Sequence, residues 1–502
     1  MADEPAPQIH STFDKQDLKR RSLRGGIATV ASQGVKFGLK FGSTLVLARL
    51  LSPPEFGIVA MVAPILAFVT TLNDLGYTQA IIQHRDLSKA QISSLFWINL
   101  LMSVGLAAVL VIASPLVGWI YHEPRLPPLL LTMASLVILG TLSMIPSALL
   151  LRDMRFNQQV SVDLVGVTVS IAVTIAAAMM GFSYWSIVIG QIANAVTNLI
   201  LLAILTRWRP QWPRRGVEIG HVVRFGANLT GVNIAGYFSS TADNMIIGAV
   251  AGKTPLGLYD RSFNLVVQPI NQLMAPVSRV ALPLLSRLRE DPQLYRDTYL
   301  NMVRIGLSFT MPLMVACMVL AAPMVHFLLG PKWQAAGPIL AWISFGGLVA
   351  PLTTTSGWVF ATRGRTDQQL RVTLVTAALS IASFAIGVHW GAVGVAEASA
   401  LSFTFLQTPL VVWGSTRDCA VRFADMAGAV WPLIVAAAAA GGALYLSLGF
   451  WQSWRLAIAL GLCYLIFGAV AFLLPGGRAM YRTIIGLASS LRPGRAKAVS
   501  QP

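Results

Sequence analysis

Two lysines stand in a largely apolar stretch near the start of the chain. In ASQGVKFGLKFGSTLVLARLL, Lys36 and Lys40 are four residues apart, and Gln33 precedes Lys36 by three. This spacing places all three on one face of a helix. Because a lysine at the centre of a membrane costs about 3 kcal/mol, two interpretations are open. The lysines are paired with acids in a packed interface, or they line a water-filled cavity and attract an anion.

A longer polar stripe follows in the middle of the chain. Its members recur at helical spacing over about five turns: Arg261, Asn264, Gln268, Gln272 and Arg279. Such a stripe cannot face lipid, since hydrocarbon offers no partner to polar groups. It is either buried against other polar helices or lines the path of a polar solute.

The segment before this stripe contributes an acid. Asp243 lies in an apolar run with Asn233 and Asn244, and all three are candidates for gating or ion coupling. The internal repeat described below sets Asp243 opposite Ser43, so a Lys40–Asp243 pair is a hypothesis. Such a pair would gate, bind a proton or only neutralise charge, and both a working and a structural pair are open. Three acids nearer span ends are interpreted as snorkelled or capping carboxylates: Asp74, Asp163 and Glu397.

A membrane-spanning framework must position these residues. Of the 502 residues, 55% are hydrophobic and 11% charged, whereas soluble domains have about 25% charged residues. Apolar stretches of about 20 residues, long enough to cross a bilayer, recur from Gly26 to Leu474. The predicted fold is all-α, a polytopic membrane protein of about 14 transmembrane helices. We place the spans at 27–50, 56–77, 94–120, 127–150, 160–180, 183–206, 225–251, 256–284, 304–326, 335–360, 370–388, 391–414, 427–449 and 455–475.

The cations lie mainly on one side of this predicted membrane. With a cation at a span's edge counted in the adjoining loop, 28 of the 37 Lys and Arg residues fall on the side that holds both termini, four on the other side and five within spans. Cytoplasmic loops carry the excess of Lys and Arg. We therefore expect a multi-pass membrane protein with both termini cytoplasmic. The formal net charge of +17 then reflects topology, and nucleic acid is not an expected partner.

The chain also contains an internal repeat. LSPPEFGIV, between spans 1 and 2, corresponds to GKTPLGLYD, between spans 7 and 8, and their glycines Gly57 and Gly257 are 200 residues apart. At an offset of 210, three further matches occur: FNQQV with TDQQL, Ser170-Ile171-Ala172 with Ser380-Ile381-Ala382, and Gly181 with Gly391. Six spans per copy is an even number, so both copies enter the membrane from the same side and form parallel, pseudo-symmetric lobes.

This repeat predicts the domain organisation. A basic cytoplasmic N-terminus (1–26) precedes an N-lobe of helices 1–6 (27–206) and a cytoplasmic inter-lobe linker (207–224). A C-lobe of helices 7–12 (225–414), helices 13–14 (427–475) and a basic cytoplasmic tail (476–502) follow.

The sequence lacks the common motifs of enzymes. It has no GxxxxGK[ST] phosphate loop, no HExxH, no CxxC and no GxSxG. Cys317, Cys419 and Cys463 are isolated, which indicates neither a disulfide nor a metal site. We expect no catalytic residue, cofactor or metal.

Three stretches carry a family likeness: LARLLSPPEFGIVAM, LGLYDRSFNLVVQPINQLMAPVSRVALPLLSRL and FLLGPKWQAAGPIL. They resemble the polysaccharide-transport (Wzx-type) flippases of the multidrug/oligosaccharidyl-lipid/polysaccharide exporter superfamily. The likeness extends from about Ser22 to the end of the last span, and 255–288 is its most specific part. It implies two six-helix lobes around a central cavity, two extra helices and alternating access.

The resemblance further implies a substrate. This would be an oligosaccharide repeat unit on undecaprenyl diphosphate, moved from the cytoplasmic to the periplasmic leaflet for exopolysaccharide, capsule or O-antigen synthesis. Membrane lipids are expected partners, and a polysaccharide polymerase and co-polymerase are compatible ones. A diphosphate-sugar head is anionic and polar, which suits the cations and amides of the two stripes, while the polyprenyl tail stays in lipid.

Three other functions share features with this one. A multidrug/cation antiporter would favour acids in its cavity, whereas the first span carries lysines. A lipid II flippase suits a cationic cavity, but the match at 255–288 favours the polysaccharide family. A membrane-embedded glycosyltransferase or polymerase would need acidic catalytic residues and a sizeable external loop, and the predicted external loops are short.

Overall fold

A computed structural model of the chain describes residues 15–74, 81, 88–212, 241–417, 419–451 and 455–475. Every element over these ranges is helical, and ten helical segments among them are long and apolar enough to cross a membrane. The prediction of a polytopic all-α membrane protein is confirmed. The helices are consistent with the fourteen predicted spans, of which the seventh is described only from residue 241.

Six helices are described between residues 15 and 206: α1 (Lys15–Leu50), α2 (Pro53–Asp74), α3 (Lys89–Ile120), α4 (Leu126–Arg152), α5 (Phe156–Met179) and α6 (Trp185–Thr206). Five follow up to residue 347: α7 (241–250), α8 (Lys253–Arg287), α9 (Pro292–Val319), α10 (Ala321–Leu328) and α11 (Ala336–Gly347). The rest are α12 (Ala350–Arg363), α13 (Thr366–Gly387), α14 (Gly391–Ser402), α15 (Thr408–Thr416), α16 (Phe423–Leu446) and α17 (Arg455–Leu473). A π-helical turn, Phe403–Gln407, joins α14 to α15.

The chain divides into two compact units. The first unit comprises the described parts of 1–50, 65–119 and 123–236, and the second those of 51–64, 120–122 and 237–502. In the first unit α5 packs against α1 and α6, and α4 packs against α6. In the second unit α8 packs against α11, and α9 packs against α16 and α17. The two C-terminal helices therefore extend the second unit.

Two helices related by the repeat begin alike, and two glycines of the repeat share a backbone conformation. α5 and α13 start 210 residues apart, after Arg155 (φ −84°, ψ 48°) and Arg365 (φ −93°, ψ 50°). Gly181 and Gly391, also 210 residues apart, have φ values of +86° and +71°. Glycine adopts this conformation without the steric cost that a side chain brings. The matches read from the sequence thus mark equivalent structural positions in each unit.

The other glycine pair of the repeat meets inside the second unit, where the start of α2 crosses the start of α8. A Cβ atom on Gly57 would collide with the carbonyl oxygen of Lys253, and one on Gly257 would collide with that of Pro53. The two backbones touch, so neither position has room for a side chain.

We expect Gly57→Ala and Gly257→Ala each to lower the free energy of unfolding by about 1–3 kcal/mol, because the added methyl group overpacks the crossing. Thermal unfolding of the detergent-solubilised protein should show a melting temperature several degrees lower for both variants. Gly357→Ala is the matched control, because nothing lies within 4 Å of a Cβ atom at that helical position. Equal melting temperatures for all three variants would contradict a tight crossing.

Candidate functional site

Lys36 is held in an ion pair. Its Nζ lies 2.5 Å from Oδ2 of Asp163, and the two side chains are 15% and 34% exposed. Oδ1 of Asp163 accepts a hydrogen bond from Nε2 of Gln159 at 3.0 Å, and Oε1 of Gln159 accepts one from Ser147 at 3.1 Å. Asp163 lies two turns inside α5 and is paired with Lys36, so it does not cap this helix. It neutralises Lys36.

Asp163 lies on the wall of a cavity of about 380 Å³ within the first unit. Asp163, Gln159, Asn73, Thr141 and Asn198 contribute to its wall. Nδ2 of Asn73 donates to Thr141 at 2.7 Å, but Oδ1 of Asn73 and Oδ1 of Asn198 are buried without a hydrogen-bond partner. The wall of this cavity therefore includes two residues with an unpaired acceptor as well as the neutralised carboxylate. Sequence reasoning missed it, because its members come from four helices.

The other two polar residues of the first stripe have no such restraint. Gln33 and Lys40 lie on the same continuous helix as Lys36, as their spacing predicts, and both are exposed. Lys40 forms no ion pair within the described part of the first unit. Lys36 therefore fits the first interpretation, a lysine paired with an acid, whereas Lys40 retains a charge that is available to an anion.

The stripe on α8 is directed away from the helix's packing face. Gln268 and Arg279 are exposed, whereas Arg261, Asn264 and Gln272 are half-buried. The residues that α8 buries lie on the opposite side and include Tyr259, Val266, Ile270 and Met274. The interpretation that the whole stripe is buried against other polar helices is therefore wrong for Gln268 and Arg279. The stripe is a polar surface of the second unit.

Arg261 has a partner that sequence reasoning missed. Its Nη2 and Nε lie 2.5 and 3.0 Å from Oδ2 of Asp260, and its guanidinium stacks 4.7 Å from the ring centroid of Phe56. Oδ1 of Asp260 also accepts from Nδ2 of Asn264 at 3.1 Å. The available signal was the acid directly before the arginine and four residues before the asparagine. Arg261 and Asn264 are thus oriented by one carboxylate, which also reduces the net positive charge.

Asp243 is buried in the second unit, with 6% of its surface exposed. Oδ2 accepts a hydrogen bond from the hydroxyl of Tyr259 at 3.1 Å, and Oδ1 accepts one from the backbone N–H of Asn244 at 2.8 Å. These observed partners belong to its own unit. The Lys40–Asp243 pair stays a hypothesis, and Asn233 lies outside the described residues.

A cavity of about 290 Å³ opens beside Asp243 within the second unit. Phe263 and Ile270 provide apolar wall, while Ser380 and Gln407 add polar groups. An apolar cavity with few converging polar groups is the usual form of a small binding site. A single carboxylate with a neighbouring phenol can hold a proton or a small cation there.

The π-helical turn shapes one wall of this cavity. It ends at Gln407, which accepts from Ser380 through Oε1 at 3.0 Å and donates from Nε2 to Ser402 at 3.1 Å. Such turns are rare and often lie at functional sites. Sequence reasoning gave Gln407 no role, because a π-turn has no recognisable residue spacing.

Comparisons with known proteins agree with this architecture. A family model described as polysaccharide biosynthesis protein matches residues 46–338, more than half of the chain. Lipopolysaccharide biosynthesis protein WzxC of Escherichia coli (strain K12) is 23% identical over 381 residues, 75% of this chain and 77% of the relative. Succinoglycan biosynthesis transport protein ExoT of Rhizobium meliloti (strain 1021) is 24% identical over 327 residues, 65% of this chain and 66% of the relative.

The fold is also similar to that of a solved transporter. The lipid II flippase MurJ in an inward closed conformation aligns with a TM-score of 0.72 at 13% identity, covering 92% of this chain and 100% of that one. At this identity the likeness concerns the fold alone. The family match and the fold together agree with the resemblance found in the sequence. The chain belongs to the polysaccharide biosynthesis protein family, the Wzx-type flippases of the multidrug/oligosaccharidyl-lipid/polysaccharide exporter superfamily.

Proposed function

We propose that this protein moves undecaprenyl-diphosphate-linked oligosaccharide repeat units from the cytoplasmic to the periplasmic leaflet by alternating access. It acts as a transporter and not as an enzyme. The observation that carries this proposal is the polar stripe of α8, which turns Gln268 and Arg279 outward from the packed face of the second unit. The names of relatives such as WzxC and ExoT support a role in the synthesis of surface polysaccharide.

The stripes suit the head group of such a substrate. Amides such as Gln268 and Gln272 can bond sugar hydroxyls, and cations such as Lys40, Arg261 and Arg279 can attract the diphosphate. Arg261 is already oriented by Asp260, so it can act as a preformed donor. Family membership and the lysine-bearing first helix favour this substrate over a cationic drug, whereas a lipid II substrate differs mainly in its sugar-peptide head.

The proposed orientation follows from the loop charges. The 28 cations on the side of the termini support a cytoplasmic location for both ends in the inner membrane. A polysaccharide polymerase and co-polymerase on the opposite side are proposed partners, since the moved repeat units must be joined there.

We place the site that couples transport to a proton or ion gradient in the cavity of the second unit. Asp243 is a carboxylate held in an apolar setting, and ionisable groups at such depth commonly bind protons or coupling ions. We infer that Asp243 exchanges a proton or a small cation during the transport cycle, with Tyr259 and Asn244 orienting its two oxygens.

The decisive experiment is genetic and chemical. Deleting the gene should stop surface polysaccharide and cause lipid-linked repeat units to accumulate, as measured by mass spectrometry of lipid extracts. Accumulation of lipid II instead would favour the peptidoglycan substrate. Unchanged lipid intermediates together with increased drug sensitivity would favour the antiporter, and either result would overturn this proposal.

Complementation with variants tests the stripes. We expect Lys40→Ala and Gln268→Leu to reduce polymer export by about tenfold, because each removes a charge-assisted or amide contact worth roughly 1–2 kcal/mol. Val277→Leu is the control, since it changes an apolar residue of the same helix. Export should be compared at equal protein levels on immunoblots. Equal export from all three variants would mean that the polar residues of the two stripes serve packing and not transport.

A further inference from the structure

The segment that follows α6, residues 207–212, is fixed to α3. The backbone N–H of Gln211 donates to Oγ of Ser93 at 3.1 Å, and Nε1 of Trp97 donates to the carbonyl oxygen of Gln211 at 2.8 Å. The rings of Trp97 and Trp212 stack with centroids 5.5 Å apart and planes 11° apart. The start of the predicted inter-lobe linker is therefore an ordered part of the first unit that packs against α3.

A second cavity of the first unit, of about 380 Å³, lies where this segment meets the ends of α3, α4, α5 and α6. The charged residues on its wall are five cations and one acid: Lys89, Arg152, Arg155, Arg207, Arg209 and Asp153. We call it the basic cavity. Within the described ranges none of the five cations forms an ion pair. Nη1 of Arg152 is buried and has no hydrogen-bond partner.

Among the described residues, the five unpaired cations and the unpartnered nitrogen of Arg152 favour a bound anion. A guanidinium N–H removed from water without an acceptor is costly, and one carboxylate cannot balance five cations. Arginine forks match the oxygens of phosphate in geometry and charge. Several cations around one space suit a ligand with more than one phosphate charge better than a single carboxylate.

The repeat supplies an internal comparison. In the second unit, Arg365 and Thr362 stand 210 residues after Arg155 and Arg152. Arg365 donates to the backbone carbonyl of Arg417, and Thr362 carries no charge. The second unit therefore uses the arginine equivalent to Arg155 for an internal contact, whereas the first unit leaves Arg152 and Arg155 to the basic cavity.

The location points to a lipid. All the helix ends that form the basic cavity lie on the side where the loop cations concentrate, and basic pockets between helices on that side of a membrane bind phosphate-bearing head groups. We propose that the basic cavity binds the phosphates of an anionic lipid head group at the cytoplasmic surface of the first unit. The proposal rests on the orientation proposed above and not on flippase activity.

The same chemistry is offered by three sources: an anionic phospholipid, the diphosphate of a polyprenyl-linked substrate, and free inorganic diphosphate. Binding to the full-length purified protein distinguishes them without any transport assay. Three probes are used. Binding of inorganic diphosphate is measured by microscale thermophoresis. Undecaprenyl diphosphate and cardiolipin are each titrated by native mass spectrometry against a phosphatidylcholine background.

The test variant is Arg152→Gln/Arg155→Gln, and the control is Arg287→Gln/Arg289→Gln, which removes two exposed cations outside the basic cavity. We expect the test variant to bind cardiolipin or undecaprenyl diphosphate at least about tenfold more weakly than wild type, since charge-assisted hydrogen bonds are lost. The control should change binding by less than about twofold.

The outcomes separate cleanly. Tighter binding of either lipid than of inorganic diphosphate, lost in the test variant, supports a lipid site and names its lipid. Binding of inorganic diphosphate alone overturns the lipid assignment, and equal binding by test and control variants overturns the basic cavity as the site. Should the test variant fail to fold, Lys89→Gln/Arg209→Gln removes two exposed cations of the same cavity and is judged by the same criteria.

Discussion

Replacing Asp163 with alanine is expected to remove most of the folded protein from the membrane. The change leaves Lys36, 15% exposed, as a charge inside the first unit without a counter-ion. Breaking a buried ion pair from one side costs about 3–5 kcal/mol, and the lower end applies here because the Asp163 side chain is 34% exposed. That loss is a large fraction of a typical folding free energy. Yield of monodisperse protein in size-exclusion chromatography and its melting temperature measure it.

The double variant Lys36→Met/Asp163→Leu separates charge from packing. Replacing both members of an ion pair by apolar residues is often neutral or stabilising, so we expect this variant to recover near-normal yield. Asp297→Ala removes an exposed acid and should have little effect. If Asp163→Ala is as stable as Asp297→Ala, the ion pair contributes nothing to folding and Lys36 regains a place among the candidate anion-binding residues.

The contrast between Lys36 and Lys40 marks what residue spacing can and cannot predict. The intervals between Gln33, Lys36 and Lys40 fix the face they share, because helix geometry is local. They cannot reveal that Asp163, 127 residues away, approaches only Lys36, because this depends on how α1 and α5 pack. A membrane-embedded lysine can be stabilised by an acid or by water, and a single sequence does not distinguish the two.

Positions fixed by backbone geometry were more predictable. Gly181 and Gly391 match across the repeat and share a positive φ, and Gly57 and Gly257 sit at one crossing. A glycine at a tight crossing or in a left-handed turn is required by sterics, so its recurrence in the sequence is a direct structural signal. Gln407 carries no such signal, since its role depends on a π-turn in the backbone.

The basic cavity extends this lesson to the loops. Its cations were counted in the sequence as topology markers, which is correct for their side of the membrane but assigns them no individual role. Only the hydrogen bonds that hold Gln211 against Ser93 and Trp97 show that some of them share one cavity. Cations that set orientation during insertion can therefore bind a ligand in the folded protein.

The second large effect is expected from Asp243→Asn. Asparagine has nearly the same shape as aspartate and can keep one hydrogen bond to each of Tyr259 and Asn244, so the protein should fold and insert normally. It cannot exchange a proton and offers a cation no negative charge. If the carboxylate couples ion movement to transport, polymer export should be abolished at normal protein level, with lipid-linked repeat units accumulating as in the deletion strain.

Tyr259→Phe and Glu290→Gln make this prediction specific to the carboxylate. Tyr259→Phe removes one hydrogen bond to Asp243 but keeps its charge, so export should fall by about fivefold, the equivalent of roughly 1 kcal/mol. Glu290→Gln removes an exposed acid outside the cavity and should export like wild type. Export at the wild-type level from Asp243→Asn would mean that the buried carboxylate only orders the second unit, and the coupling site would then have to lie elsewhere. A graded series, from abolished through reduced to normal, is what a buried carboxylate acting through its charge requires.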